Sequence, residues 1–223
     1  MRPTLVFDLD GTLVDTATDL VATLNVILER EGLRSVPFLE ARSMVGHGAR
    51  VMIERGLAAN GTHREAADLD RLFDDYIAYY SAHLADGSQP FPGVVEALDH
   101  FSAEGWSLAV CTNKLEYLSV DLLEKLGLAA RFDAICGADT FAARKPDPLA
   151  LIETIRRTGG QPEAAIMVGD SKTDIDTAKA AAVPVIAVDF GYTPVHVRDL
   201  GPDIVISHFD ELAGAVAKVR ASR

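Results

Sequence analysis

Phe7-Asp8-Leu9-Asp10-Gly11-Thr12-Leu13 closes the apolar run Thr4–Phe7, and its reading decides the fold. Two carboxylates two residues apart on an extended segment point the same way, so Asp8 and Asp10 are expected to stand together where a first strand ends. In open parallel sheets the carboxyl ends of the strands, where the strand order reverses, are the place where ligands bind. Taken singly, an aspartate at a strand end is more often the cap of the next helix. The rest of the chain has to decide between the two readings.

Working outward, Leu108–Cys111, Ala134–Cys136, Ala165–Val168, Val185–Val188 and Ile204–Ile206 are further short apolar runs bounded by polar residues, Gly or Pro. Such runs suit strands buried on both faces of a parallel sheet. Between them, Val94–Ala103, Glu116–Leu126, Pro148–Arg157 and Asp174–Ala182 carry apolar residues at helical spacing. The alternation predicts an α/β fold, a Rossmann-like doubly wound parallel sheet with helices on both faces. The first strand ends at Phe7 and the second begins at Leu108, although a crossover needs only about a dozen residues. The intervening stretch reads as helical over Asp19–Glu31, Gly48–Asn60 and Arg64–Leu84, with glycines and Pro37 as punctuation. An inserted α-helical cap over residues 15–86 is therefore expected, leaving 1–14 and 87–223 as the α/β core domain.

The 223 residues carry 21 Lys+Arg against 33 Asp+Glu, a formal charge of −12, which opposes a nucleic-acid partner or an anionic membrane surface. A small anionic substrate is still compatible, because a site can be locally positive. Cys111 and Cys136 both lie in apolar runs and read as buried reduced thiols. Met1-Arg2-Pro3-Thr4 leads straight into the first strand without the apolar region of a secretion signal, and a cytoplasmic protein is expected.

Three more clusters fall at strand ends or helix starts: Cys111-Thr112-Asn113-Lys114, Lys145-Pro146, and Val168-Gly169-Asp170-Ser171-Lys172-Thr173-Asp174. In this order, with the helical insert after the first motif, the whole chain resembles the haloacid dehalogenase-like superfamily. The resemblance implies Asp8 as a nucleophile that forms an aspartyl-phosphate, and Asp10 as the acid and base. It implies Lys145 as the neutralising cation, and Thr112 and Asn113 as phosphoryl-binding residues. A Mg²⁺ site would be built from Asp8, Asp10 (through its backbone carbonyl) and Asp170, with Asp174 orienting a metal-bound water or Lys145. Hard oxygen ligands suit that ion.

Within the superfamily, Asp10 favours ester hydrolysis over dehalogenation, since the dehalogenases lack that acid. The insert contains no lysine, the first in the chain being Lys114, which removes the Schiff-base hydrolases. Leu20 stands where β-phosphoglucomutases place a gating histidine, which argues against a mutase. Thr112-Asn113-Lys114, Val45-Gly46-His47-Gly48-Ala49-Arg50 and Gly191-Tyr192-Thr193-Pro194 resemble phosphoglycolate phosphatases. Leu115 and Ala182 depart from their usual proline and glycine. That likeness implies hydrolysis of 2-phosphoglycolate by a monomer or homodimer. Pyrophosphate, a sugar phosphate or a nucleotide remain alternatives, as does a non-catalytic binding protein.

Gly46 and Gly48 would bring backbone close to a ligand, with His47 beside them. Arg50 could pair with the substrate carboxylate or be a surface helix arginine. Lys114 could meet that carboxylate or one from the cap, or sit at the rim. Tyr76, Tyr79 and Tyr80 read as helix packing, and Asp68, Asp70, Asp74 and Asp75 as a solvated face.

Overall fold

A computed structural model describes residues 2–222. The chain begins with β1 (Thr4–Phe7) and the two-residue β2 (Val14–Asp15). Four helices follow: α1 (Ala17–Arg30), α2 (Phe38–Arg42), α3 (Ala49–Ala59) and α4 (Ala66–Ala82). β3 (Gln89–Pro90) returns antiparallel to β2, so the paths into and out of the helical stretch form one small ribbon. Then come α5 (Val94–Ala103), β4 (Ser107–Cys111), α6 (Glu116–Lys125), β5 (Ala134–Cys136) and α7 (Pro148–Arg157). β6 (Ala165–Gly169), α8 (Lys172–Ala180), β7 (Val185–Val188), β8 (Ile204–Ile206) and α9 (Leu212–Ala221) complete the described chain.

The six longer strands form one parallel sheet in the order β5-β4-β1-β6-β7-β8, with Phe7 in register with Val110 on one side and Val168 on the other. Alternation along each strand divides the core. Leu5, Phe7, Leu108, Val110, Ile166 and Val168 face one apolar cluster, which takes in Leu98, Leu122 and Val216 from α5, α6 and α9. Val6, Ala109, Cys111 and Met167 face another, with Leu151 and Ile155 of α7 and Ile175 of α8. Both clusters exclude water, so β1 is covered on both faces, as its unbroken apolar run requires. No helix among the described residues is long and apolar enough to cross a membrane.

Several boundaries differ from the sequence reading, for local reasons. α8 begins at Lys172 rather than Asp174, because Ser171 and Asp174 form a reciprocal capping box at its start. It ends before Ala182, which takes a positive φ of 54° where a glycine would be unstrained. The terminal turns expected at Arg64 and Leu84 lie outside α4. Helix α2 and the β2–β3 ribbon were not expected, since five-residue and two-residue elements show no periodicity.

The helices between β2 and β3 pack on one another, and Gly56 of α3 lets Leu24 and Leu28 of α1 approach closely. Asp19 in the first turn of α1 is buried and accepts hydrogen bonds from Gly87 N (2.9 Å), Ser88 N (2.9 Å) and Ser88 Oγ (2.6 Å). One carboxylate thus ties the entry into the helices to the exit from them. Asp19→Ala strands those donors out of water, and a loss of about 2–4 kcal/mol is expected in chemical denaturation. An unchanged midpoint would contradict this role.

Candidate active site

The turn after β1 puts its two carboxylates at the sheet edge. Asp8 N donates to Val168 O of β6 at 2.9 Å, extending the strand pairing by one residue. The amides of Leu13 and Val14 then fold back to Leu9 O at 3.0 Å. Gly11 sits at φ 84°, and a Cβ there would come within 2.7 Å of Asp170 Oδ2, so both conformation and space demand glycine.

Lys145 lies between two of the aspartates. Its Nζ is 2.6 Å from Asp174 Oδ1 and 2.9 Å from Asp8 Oδ1, and its side chain is 1% exposed. Burial alone would push this ammonium down, but Asp174 and Asp8 outweigh it and hold Lys145 above the ordinary lysine range. Asp174 Oδ2 accepts from Ser171 N and Oγ at 3.1 and 2.6 Å, so the helix cap leaves Oδ1 for the lysine. Asp170 accepts from Tyr192 N at 2.7 Å through Oδ2 and from Thr12 Oγ1 at 3.3 Å through Oδ1.

Oxygen atoms of Asp8, Asp170 and Asp174 lie within 4.8 Å of one another, all three residues buried. One lysine cannot balance them. Burial first, then the charge of Asp174, pushes Asp8 up to about 7, against the pull of Lys145. Burial, Asp174 and Asp8 push Asp170 up to about 8. A hard divalent cation fits this donor set, since it would offset the repulsion that raises both groups.

Asp10 stands apart from that trio. Lys114 Nζ reaches its two oxygens at 2.9 and 3.0 Å, and Thr16 Oγ1 donates to Oδ1 at 2.8 Å. The sequence left Lys114 for a substrate carboxylate, a cap carboxylate or the rim. It is instead buried against a core carboxylate, with Nζ 4.7 Å from the centroid of the Tyr80 ring. Thr16 and Ala17 are in turn fixed by Tyr192, whose hydroxyl accepts from both of their amides and donates to Asp15 Oδ1 at 2.7 Å. The single residue Tyr192 therefore touches Asp170 through its backbone and the β2–α1 junction through its side chain.

Above the carboxylates is a cavity of about 180 Å³, walled by the sheet edge on one side and by α1, α3, α4 and the loop before α3 on the other. Thr112, Asn113 and Lys114 line it from the core; Gly46, His47, Gly48 and Arg50 line it from the loop and α3. Gly46 and Gly48 both have positive φ, and Gly48 is the residue from which α3 starts. The Asn113 side chain donates to Lys145 O at 3.2 Å, and its Oδ1 is buried without a partner. Arg50 is engaged by Asp70 and lies 5.9 Å from the Phe73 ring centroid.

Tyr76 and Tyr80 pack between helices as the sequence indicates, yet both also line the cavity. Their i, i+4 spacing is the packing signal, and nothing in it separates a wall residue from a core residue. Arg144, next to Lys145, also lines the cavity and was not singled out from the sequence. Cys111 lies behind the site, and burial pushes its thiol up to about 12, so it is no nucleophile at neutral pH.

The haloacid dehalogenase-like hydrolase family matches residues 5–188. A phosphoglycolate phosphatase of Mesorhizobium japonicum is 54% identical over 217 residues, covering 97% of this chain and 96% of that protein. A phosphoglycolate phosphatase of Agrobacterium fabrum is 48% identical, covering 100% and 96%. The crystal structure of a protein from Haemophilus somnus, described as a predicted phosphoglycolate phosphatase, superposes with a TM-score of 0.91 at 26% identity, covering 96% of this chain and 98% of that one. With the same sheet and matches of this extent, the chain belongs to the haloacid dehalogenase-like hydrolase family. Within that family it is a phosphatase.

Proposed function

We propose that this enzyme hydrolyses 2-phosphoglycolate to glycolate and phosphate through a phosphorylated Asp8. The observation that carries the reading is the placement of Asp8. It is buried between Lys145 and two further carboxylates, at the floor of a cavity sized for a small ester. The names of the relatives support the choice of substrate.

An Asp8 oxygen attacks phosphorus, and the bond from phosphorus to the ester oxygen breaks. Asp10, as the carboxylic acid, gives its proton to the departing alkoxide. Asp10, now a carboxylate, takes a proton from water as that water attacks phosphorus. The bond from phosphorus to Asp8 breaks, and the enzyme is restored. Lys114, which reaches both Asp10 oxygens, and Thr16, which donates to Oδ1, hold the carboxyl group in place. Lys145 offsets charge on Asp8 and on the phosphoryl oxygens, and Asp174 holds Lys145 in position. Thr112 and Asn113 hold the phosphoryl group from the end of β4.

Asp8, Asp170 and the Asp10 carbonyl would hold Mg²⁺, with Asp174 beside them, and the bound ion supplies positive charge against the anionic substrate. Residues 15–86 act as the cap, with Gly46, His47 and Gly48 presented to the leaving group, Arg50 beside them paired to Asp70, and water excluded behind them. The setting we infer is the cytoplasm.

Phosphate release is to be measured with Mg²⁺ across 2-phosphoglycolate, pyrophosphate, sugar phosphates and nucleotides. The highest kcat/KM is expected for 2-phosphoglycolate, and a higher value for any other ester would reassign the substrate. Phosphate retained on a sugar product would point to a mutase.

The crowding of Asp8 and Asp170 has its own consequence for the metal. Both carboxyls are held up, near 7 and 8, until a cation displaces their protons. Mg²⁺ affinity is therefore expected to rise by roughly tenfold or more between pH 6 and pH 8. Isothermal titration calorimetry at the two pH values checks this, and an affinity independent of pH would contradict it.

A further inference from the structure

The cavity must take a substrate with two anionic ends, and the second end needs a positive group that is free to meet it. Among the described residues, three Lys or Arg side chains line the cavity: Lys114, Arg50 and Arg144. Lys114 is committed to both oxygens of Asp10, the pair being 4% and 11% exposed at the side chains. Turning it toward a ligand would break both of its hydrogen bonds to Asp10 and leave the acid and base of the reaction without the group that positions it. Arg50 is already balanced by Asp70 and sits on α3, on the wall that belongs to the helices. His47 adds no firm charge, since desolvation and the nearby Arg55 hold it below the usual histidine range.

Arg144 differs on each point. It is exposed, and among the described residues no carboxylate, carbonyl or aromatic ring engages its guanidinium. The nearest acid along the chain, Asp147, is turned to the cap of α7, where its side chain accepts from Leu149 N at 2.9 Å. Arg144 also belongs to the core, one residue from the lysine that holds Asp8. A cation there keeps a fixed relation to the phosphoryl site however the helices opposite move.

We propose that Arg144 is the specificity residue that draws in and orients the carboxylate of the substrate, from the core side of the cavity. The proposal rests on the phosphoglycolate reading above and adds to it the residue that recognises the second anion. A planar guanidinium suits a carboxylate, with two parallel donors for two oxygens. In a chain of net charge −12, one uncompensated cation at the mouth also favours the approach of an anion, and salt screens that effect.

The test compares 2-phosphoglycolate with 2-hydroxyethyl phosphate, in which a neutral hydroxymethyl group replaces the carboxylate. Wild type, Arg144→Ala, Arg144→Lys and Arg50→Ala are assayed on both at low and moderate ionic strength. Arg144→Ala is expected to lower kcat/KM for 2-phosphoglycolate by about 30-fold or more, chiefly through KM, and to change 2-hydroxyethyl phosphate by less than about threefold. Arg144→Lys should recover part of the loss, and the salt dependence should flatten in Arg144→Ala for the carboxylate substrate only. Equal effects on both substrates, or a selective loss in Arg50→Ala in place of Arg144→Ala, would overturn the assignment while leaving the substrate reading intact. A wild type that does not distinguish the two esters would overturn both.

Discussion

Asp8→Asn is expected to reduce phosphate release by at least about 10⁴-fold while leaving the protein folded. The amide keeps the shape of the side chain but removes the anionic oxygen that attacks phosphorus. The stability of the variant separates loss of chemistry from loss of structure, because its direction is set by the pKa of Asp8. That pKa is raised from an ordinary 3.8 to about 7, so the folded, metal-free protein binds the Asp8 proton more tightly than the unfolded chain does. The stability associated with the proton is complete below the ordinary value and is lost as pH rises through about 7. At pH 8 the ionised Asp8 opposes folding, and Asp8→Asn is expected to melt at the same temperature as the metal-free wild type or higher. A variant that unfolds at pH 8, or one that keeps wild-type turnover, would contradict the role given to Asp8.

Lys145→Met has the opposite signature. Methionine fills similar space without charge, and leaves Asp174 and Asp8 buried with no cation at 2.6 and 2.9 Å. Removing one partner of a buried pair costs about 3–5 kcal/mol. Added Mg²⁺ should recover part of this, since it offsets the same carboxylates. Turnover is expected to fall by about 10³-fold even with Mg²⁺ saturating, because the phosphoryl oxygens lose their protein cation. Denaturant midpoints with and without Mg²⁺, together with kcat, check both halves. A Lys145→Met variant as stable as wild type in the absence of metal would contradict the arrangement.

The fold was legible because β1, β4, β6 and β7 are buried on both faces and so read as unbroken apolar runs. Asp8, Asp10, Asp170 and Lys145 stood out through the family resemblance that their motifs carry, and the structure gathers Asp8, Asp170 and Lys145 at one sheet edge. What the sequence could not convey is which charges are already spent. Lys114 and Arg50 were both reasonable partners for a substrate carboxylate by position, but pairing across the fold turns Lys114 to Asp10 and Arg50 to Asp70. Asp19 shows the same limit: its partners are Gly87 and Ser88, a separation that no local pattern encodes. Tyr192 is a further case, joined to Thr16 across 176 residues. Helix α2 and the β2–β3 ribbon were missed because elements so short carry no period.

The central claim is that the phosphoryl group passes through Asp8 before it reaches water. Each displacement inverts phosphorus, so the stereochemical course of hydrolysis decides the matter, read on a phosphorothioate ester made chiral at phosphorus with sulfur and two oxygen isotopes and hydrolysed in water of the third isotope. The account predicts net retention of configuration in the thiophosphate released from such a substrate by the Mg²⁺-loaded enzyme. Net inversion would mean that water attacks the substrate directly, and would contradict Asp8 as the nucleophile.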